Sequence, residues 1–182
     1  ESVVGKVTCE NLGGRLDIGK KTLNGDASVV DLSSETGSIT LNNVDADSAR
    51  LVTATGRHVL NNVNVTGNLN IEVDTGTVKL MNVKSDNLTV DSDTGTITLK
   101  DTVVTNTMCL AASTGSINFD KSDAHDIYAR TSTGSIKGSL LTGKVFSTKT
   151  NTGTISVPSN TAGAGVCDLR TDTGVIKITI AA

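Results

Sequence analysis

The dipeptide Thr-Gly recurs along this chain at a nearly fixed interval, and that interval limits the possible folds more than any other feature. The glycines are Gly37, Gly56, Gly76, Gly95, Gly115, Gly134, Gly153 and Gly174, separated by 19, 20, 19, 20, 19, 19 and 21 residues. A unit of this length cannot bury an apolar side by itself, so it must stack on copies of itself. Between the glycines the apolar residues alternate. Ile39, Val78, Ile97, Ile117, Ile136, Ile155 and Ile176 stand two after a glycine, with His58 the outlier of the column. Leu41, Leu60, Leu80, Leu99 and Phe119 stand four after, and Leu32, Leu51, Ile71, Val90 and Leu110 five before. A period of two marks strands rather than helices.

Aligned apolar columns predict an all-β, single-domain parallel β-helix, a solenoid of about eight or nine coils of 19–21 residues. At ~4.8 Å per coil it would be roughly 40 Å long. Gly14 heads a degenerate first coil. Residues 1–27 read as an N-terminal capping segment with that coil, and 28–182 as the solenoid proper, together one domain. Lys20 and Lys21 place charge where the first strand edge needs protection from pairing. The repeating glycine is expected at a corner that takes a positive φ without steric cost. Asn43, Asn62, Asn82 and Asp101, six after successive glycines, mark a second corner where stacked amides can form ladders. Length varies only at a third corner, whose longest form is 161–166. The C-terminal strand ending at Ile180 has no polar cap. It reads as a covered edge, with end-to-end association through it as the alternative.

Composition agrees. The 182 residues hold 18 Gly, 28 Thr, one Pro and only 2% aromatics. A helical bundle would favour Ala, Leu, Glu and Lys, and a disordered chain more charge and Pro. Phe119 and Phe146 are bulky exceptions in narrow columns. The net charge of −3, without a basic patch or aromatic platform, argues against nucleic acid. Cys9, Cys109 and Cys167 are odd in number and far apart, so neither a disulfide framework nor a zinc site is expected. Cys167 reads as a small core hydrophobe, Cys109 as outward-facing. No apolar run approaches membrane-spanning length. No signal peptide is visible at Glu1, and a tether is expected from a segment outside this chain.

The units Val73–Val83, Ser92–Lys100 and Thr171–Ile178, each built around Asp-Thr-Gly, resemble a bacterial family of domains of unknown function that carries an adhesin label. The resemblance covers about residues 28–180. It implies a single-stranded, right-handed β-helix in a protein of the bacterial cell envelope or surface, and it brings no catalytic residues with it.

The most distinctive cluster of polar residues is acidic. Glu72 and Asp74 precede Gly76, and Asp91 and Asp93 hold the same positions in the next coil. The plain reading is a solvated face. Oxygen ligands in such rows can hold Ca²⁺, and carboxylates ~5 Å apart match retaining glycosidases. Against hydrolysis, the strip lacks sugar-stacking aromatics, and no His or Arg is expected beside it. Farther along the same face Arg130, Lys149 and Arg170 replace the acids. His58 reads as a partly buried structural histidine, or else as part of a contact patch with Val52, Ala54, Arg57 and Val59. His125 falls in the variable loop and reads as exposed. No nucleophile elbow, phosphate loop or metal-binding His spacing is present. The expectation is a non-enzymatic surface scaffold or adhesin without a cofactor. Its partner would be a surface polysaccharide or a protein. A carbohydrate-active β-helix using the acidic strip and a module polymerising through open coil ends are the alternatives.

Overall fold

The structure is a computed structural model that describes residues 6–11, 14–22 and 29–181, with side chains described from residue 29 onward. The side chains of Cys9, Lys20 and Lys21 therefore lie outside the described residues, as do residues 1–5, 12–13 and 23–27 of the expected capping segment. The strands are β1 (Lys6–Asn11), β2 (Gly14–Thr22), β3 (Val29–Ala46), β4 (Ser48–Lys100), β5 (Val103–Thr114) and β6 (Ile117–Asp120). They continue as β7 (Asp123–Thr133), β8 (Ile136–Leu140), β9 (Val145–Thr152), β10 (Ile155–Ser156), β11 (Val166–Thr173) and β12 (Ile176–Ile180). All pairings among them are parallel. β3 and β4 are long because ladder pairing continues around the corners. Gly14 pairs with Gly37 and Leu16 with Ile39, which establishes the degenerate first coil.

The fold is a parallel β-solenoid of about 7 turns, against the eight or nine expected. The stretch 145–157 makes only a partial coil, since β10 has 2 residues. The columns read from the sequence form the core: Leu32, Leu51, Leu60, Leu80, Ile97, Leu99, Ile117, Ile136 and Leu169 are all fully buried.

Two corners explain the period. At the glycine corner the chain needs closeness as much as a special dihedral. Gly115 has φ 148°, and a Cβ there would drive into the Gly95 carbonyl oxygen. Gly56 is absent from the positive-φ glycines, yet a Cβ on it would strike the Gly37 carbonyl in the same way. The expected positive φ is thus found at the other seven repeat glycines, while contact with the neighbouring backbone excludes a side chain even where φ would allow one. Small inward hydroxyls three before the glycine contribute a hydrogen bond across coils. Thr131 Oγ1 donates to the Gly115 carbonyl at 2.9 Å and Thr171 Oγ1 to Gly134 at 3.0 Å. At the second corner Asn43, Asn62, Asn82 and Asp101 adopt φ of 48–55°, and Lys121 continues the series at 47°. Asn tolerates this left-handed region best. The expected ladder is present, with Asn62 Nδ2 donating to Asn43 Oδ1 at 3.1 Å and Asn82 Nδ2 to Asn62 Oδ1 at 2.8 Å.

The order of coils in space departs from their order in sequence. β11 pairs with β7 on one side and β9 on the other, and β12 lies between β8 and β10. The last coil, 166–180, is therefore inserted between the coil ending at Leu140 and the coil 145–157. The alternative of association through the C-terminal strand is corrected: that strand is internal, and 145–157 forms the end of the stack. The inward positions of the two coils give the reason. Coil 166–180 offers Cys167, Leu169, Ile176 and Ile178, all buried, whereas 145–157 sets Thr148 in the Leu169 column and leaves Phe146 and Val157 only partly buried and Ile155 exposed. The more polar coil tolerates solvent on one side, as a terminal repeat must.

The crossing is held by buried polar contacts. Lys144 Nζ meets Asp123 Oδ1 at 2.9 Å, with only 6% and 8% of the two side chains exposed. Thr142 Oγ1 donates to Asp123 Oδ2 at 2.7 Å, and Lys144 also donates to the Ala124 carbonyl. Where the chain re-enters, the Val166 N–H donates to Asp126 Oδ1 at 2.8 Å and holds that carboxyl below its usual pKa. The two phenylalanines are accommodated by small neighbours: Phe119 pairs with Gly138, and Phe146 with Cys167.

Gly115→Ala should cost ~3 kcal/mol or more, because backbone strain and a clash with fixed backbone combine. Lys144→Ala should cost ~3–5 kcal/mol by leaving the Asp123 carboxylate buried and unpaired. Urea unfolding of each variant against the parent measures both, and a loss under 1 kcal/mol would contradict the packing described.

Candidate functional site

Outward side chains fall on two broad faces, one on the strand segment before the glycine corner and one on the segment after it. The pre-glycine face carries the acidic strip. Glu72, Asp74, Asp91 and Asp93 are all exposed there, at matching positions of adjacent coils. The expectation that no arginine stands beside them is corrected. Arg50 reaches Asp31 Oδ1 and Glu72 Oε2, each at 3.8 Å, because its own position on the neighbouring coil lies diagonal to Glu72. A shallow depression of about 330 Å³ lies here, bordered by Arg50, Asn70, Glu72 and Asp91. Among the described residues, no group of three or more His, Cys, Asp or Glu side chains converges on a point that would hold a metal ion. Farther along, Arg130, Arg170 and Lys149 are in register, in that spatial order. Arg170 is clamped by Asp168 through two bonds of 2.8 and 2.6 Å.

The post-glycine face is chemically different. Its two outward columns stand one and three after each glycine. Ser38, Thr77, Thr96, Ser116, Ser135 and Thr154 dominate the first, and Arg57 and Val175 depart from it. Thr40, Val59, Lys79, Thr98, Asn118, Lys137, Lys177 and Ser156 make the second. A trough of about 650 Å³ runs across four coils of this face, with Arg57, Val59, Lys79, Met81 and Thr98 among its walls. Thr40 is only 9% exposed, although it points outward into this trough. Residue-type columns alone conceal such a trough, since it depends on side-chain length: Arg57, Lys79 and Met81 rise above rows of short hydroxyls.

His58 is not part of a surface patch. It is completely buried in the isoleucine column, its Nε2 2.6 Å from Thr53 Oγ1, and its Nδ1 has no partner. Burial lowers its pKa to about 4. The structural reading of this residue holds, with deeper burial than expected. His125 is exposed, 68% by side chain, beside Asp126. Cys167 is buried, and burial pushes its thiol up to about 12, so it remains an unreactive apolar group. Cys109 is half-buried on the outer surface beside Tyr128. The Asp123–Lys144 pair escaped the sequence reading because both residues fall in the variable loops.

The His58 shift makes stability depend on pH. Its folded-state pKa lies below the unfolded value of about 6.5, so proton binding favours unfolding. The loss begins as pH falls below 6.5, is complete near pH 4, and amounts to ~3 kcal/mol. His58→Ile restores the column residue and removes this component. The stability difference between parent and variant should therefore move by ~2–3 kcal/mol in favour of the variant between pH 7.5 and 4. A difference that stays constant with pH would show that His58 is not buried in neutral form.

No helix among the described residues is long and apolar enough to cross a membrane. No curated protein and no solved structure matches the chain. A family model for a domain of unknown function matches residues 3–179, nearly the whole chain. With its parallel solenoid architecture, the chain belongs to the Toastrack DUF4097 family.

Proposed function

We propose that this chain is a non-enzymatic display scaffold of the bacterial cell envelope or surface, adhesive through its outward faces. The observation that carries the reading is the division of roles within each coil. Inward positions and corners are used up by stacking, while outward positions of successive coils form rows of side chains repeating every ~4.8 Å on a rigid frame. Rows fixed in this way suit an extended partner that engages several coils at once, so weak contacts add without further ordering cost. The resemblance to adhesin-labelled envelope domains supports the compartment. Fractionation of cells producing the natural full-length protein tests it: the protein is expected in the envelope or surface fraction, open to added protease. A purely cytosolic distribution would overturn the assignment.

A second reading rests on the terminal coil. β9 and β10 stand at the end of the strand order, and Ile155 there is 42% exposed. An uncovered parallel edge with apolar residues beside it favours end-to-end stacking of copies. Light scattering across a hundredfold concentration range should show rising mass, and Ile155→Lys should suppress it. A strict monomer would remove this reading.

A further inference from the structure

From Gly37 onward, the two outward columns of the post-glycine face are free of acids. Over the eight sequence repeats from Gly37 to Gly174, its positions one and three after the glycine hold Arg57, Lys79, Lys137 and Lys177 and no Asp or Glu. The pre-glycine face, at positions two and four before, holds Glu35, Glu72, Asp74, Asp91, Asp93 and Asp172. A chain of net charge −3 thus keeps carboxylates out of these two columns from Gly37 onward; Asp17, three after Gly14 and in register with Thr40, and Asp120, five after Gly115, lie at their borders. The four cations are exposed, and none of them enters an ion pair with a described carboxylate, unlike Arg50, Lys100, Lys144 and Arg170. Lys137 and Lys177 lie in direct register on adjacent coils, an arrangement of like charges that is unfavourable without an anion nearby. Arg57 and Lys79 rise on adjacent coils from the walls of the 650 Å³ trough.

We propose that the post-glycine face binds a linear acidic polysaccharide, a uronate-type polymer laid along the solenoid axis. This deepens the display role proposed above and rests on it. The cations pair with carboxylates spaced along the polymer. The Ser and Thr hydroxyls between them exchange hydrogen bonds with sugar hydroxyls, as donors and acceptors both. Val59 and Met81 offer methyl surface to the C–H faces of a pyranose ring. A nucleic acid fits less well, because no described aromatic lies in these two columns to stack on bases. The charge attraction is between exposed groups and weakens with salt.

Affinity electrophoresis and calorimetry of the intact chain with polygalacturonate test this, at low and at physiological salt. Dextran serves as the neutral control, with poly(glycerol phosphate) and single-stranded DNA as the other polyanions. Retardation by polygalacturonate, absent with dextran and reduced by salt, is the expected result. The double variants Arg57→Ser/Lys79→Thr and Lys137→Thr/Lys177→Thr carry residues that other coils hold at those positions, so the fold is retained; circular dichroism and thermal unfolding check this. Each should lower affinity about fivefold or more, while Lys149→Thr on the other face should leave it unchanged. No retardation, equal retardation by DNA or by poly(glycerol phosphate), or an equal loss in Lys149→Thr would overturn the proposal. If the chain sediments with isolated cell walls and the double variants still do so, the display role stands and this face is not its binding surface.

Discussion

Everything in this molecule follows from the approach of one glycine to the carbonyl of the glycine in the next coil. A β-carbon has no room there, and the shortfall is against backbone, which cannot yield as a side-chain tip can. Once that contact is made in each coil, the strand segments on both sides are set in register, and the columns of Ile and Leu fall into line without further instruction. The inward Thr hydroxyls that donate to those same carbonyls show how closely the corner is satisfied. The asparagine corner plays a looser part: its ladder is exposed, its φ is one Asn accepts, and Asp101 and Lys121 occupy equivalent places.

That regularity decides what a sequence reveals. Period, strand faces, buried columns and the Asn ladder were all legible, because each depends on residue type at a fixed offset. The order of the coils was not, because every coil presents the same register to any neighbour. One trace existed: Thr148, standing where other coils have Leu, Ile, Val or Ala, marks 145–157 as the coil that belongs at an end. Phe119 and Phe146 looked anomalous until their spatial partners, Gly138 and Cys167, were known. The Asp123–Lys144 pair left no periodic signal, since its residues sit where insertions accumulate. Of the candidate surfaces, the acidic strip was legible as residues but not its company, Arg50, which approaches diagonally from another coil. The opposite trough depends on side-chain height above the sheet, which residue class does not encode.

Economy of residues also shapes function. Small inward residues and corner glycines leave the outer positions as the main place where sequence can vary without disturbing the frame. The two faces have used that freedom differently, one mixing charge of both signs and the other combining hydroxyls with unpaired cations. A solenoid separates such programmes cleanly, because alternation along each strand prevents an outward substitution from reaching the core.

The inserted final coil bears on how the molecule is made. A ribosome delivers the chain from its N-terminus, so the segment 145–157 emerges before 166–180, the neighbour it will rest on. In that interval the open edge of β7 and β8 faces an available strand of matching register that is not its final partner. Thr148 in a core column already marks 145–157 as the poorer inner partner. The contacts that add to this are Lys144 in its pocket with Asp123 and the Val166 amide on Asp126. The final arrangement thus depends in part on these polar groups, and the slot beside β7 and β8 is filled by the strands made last.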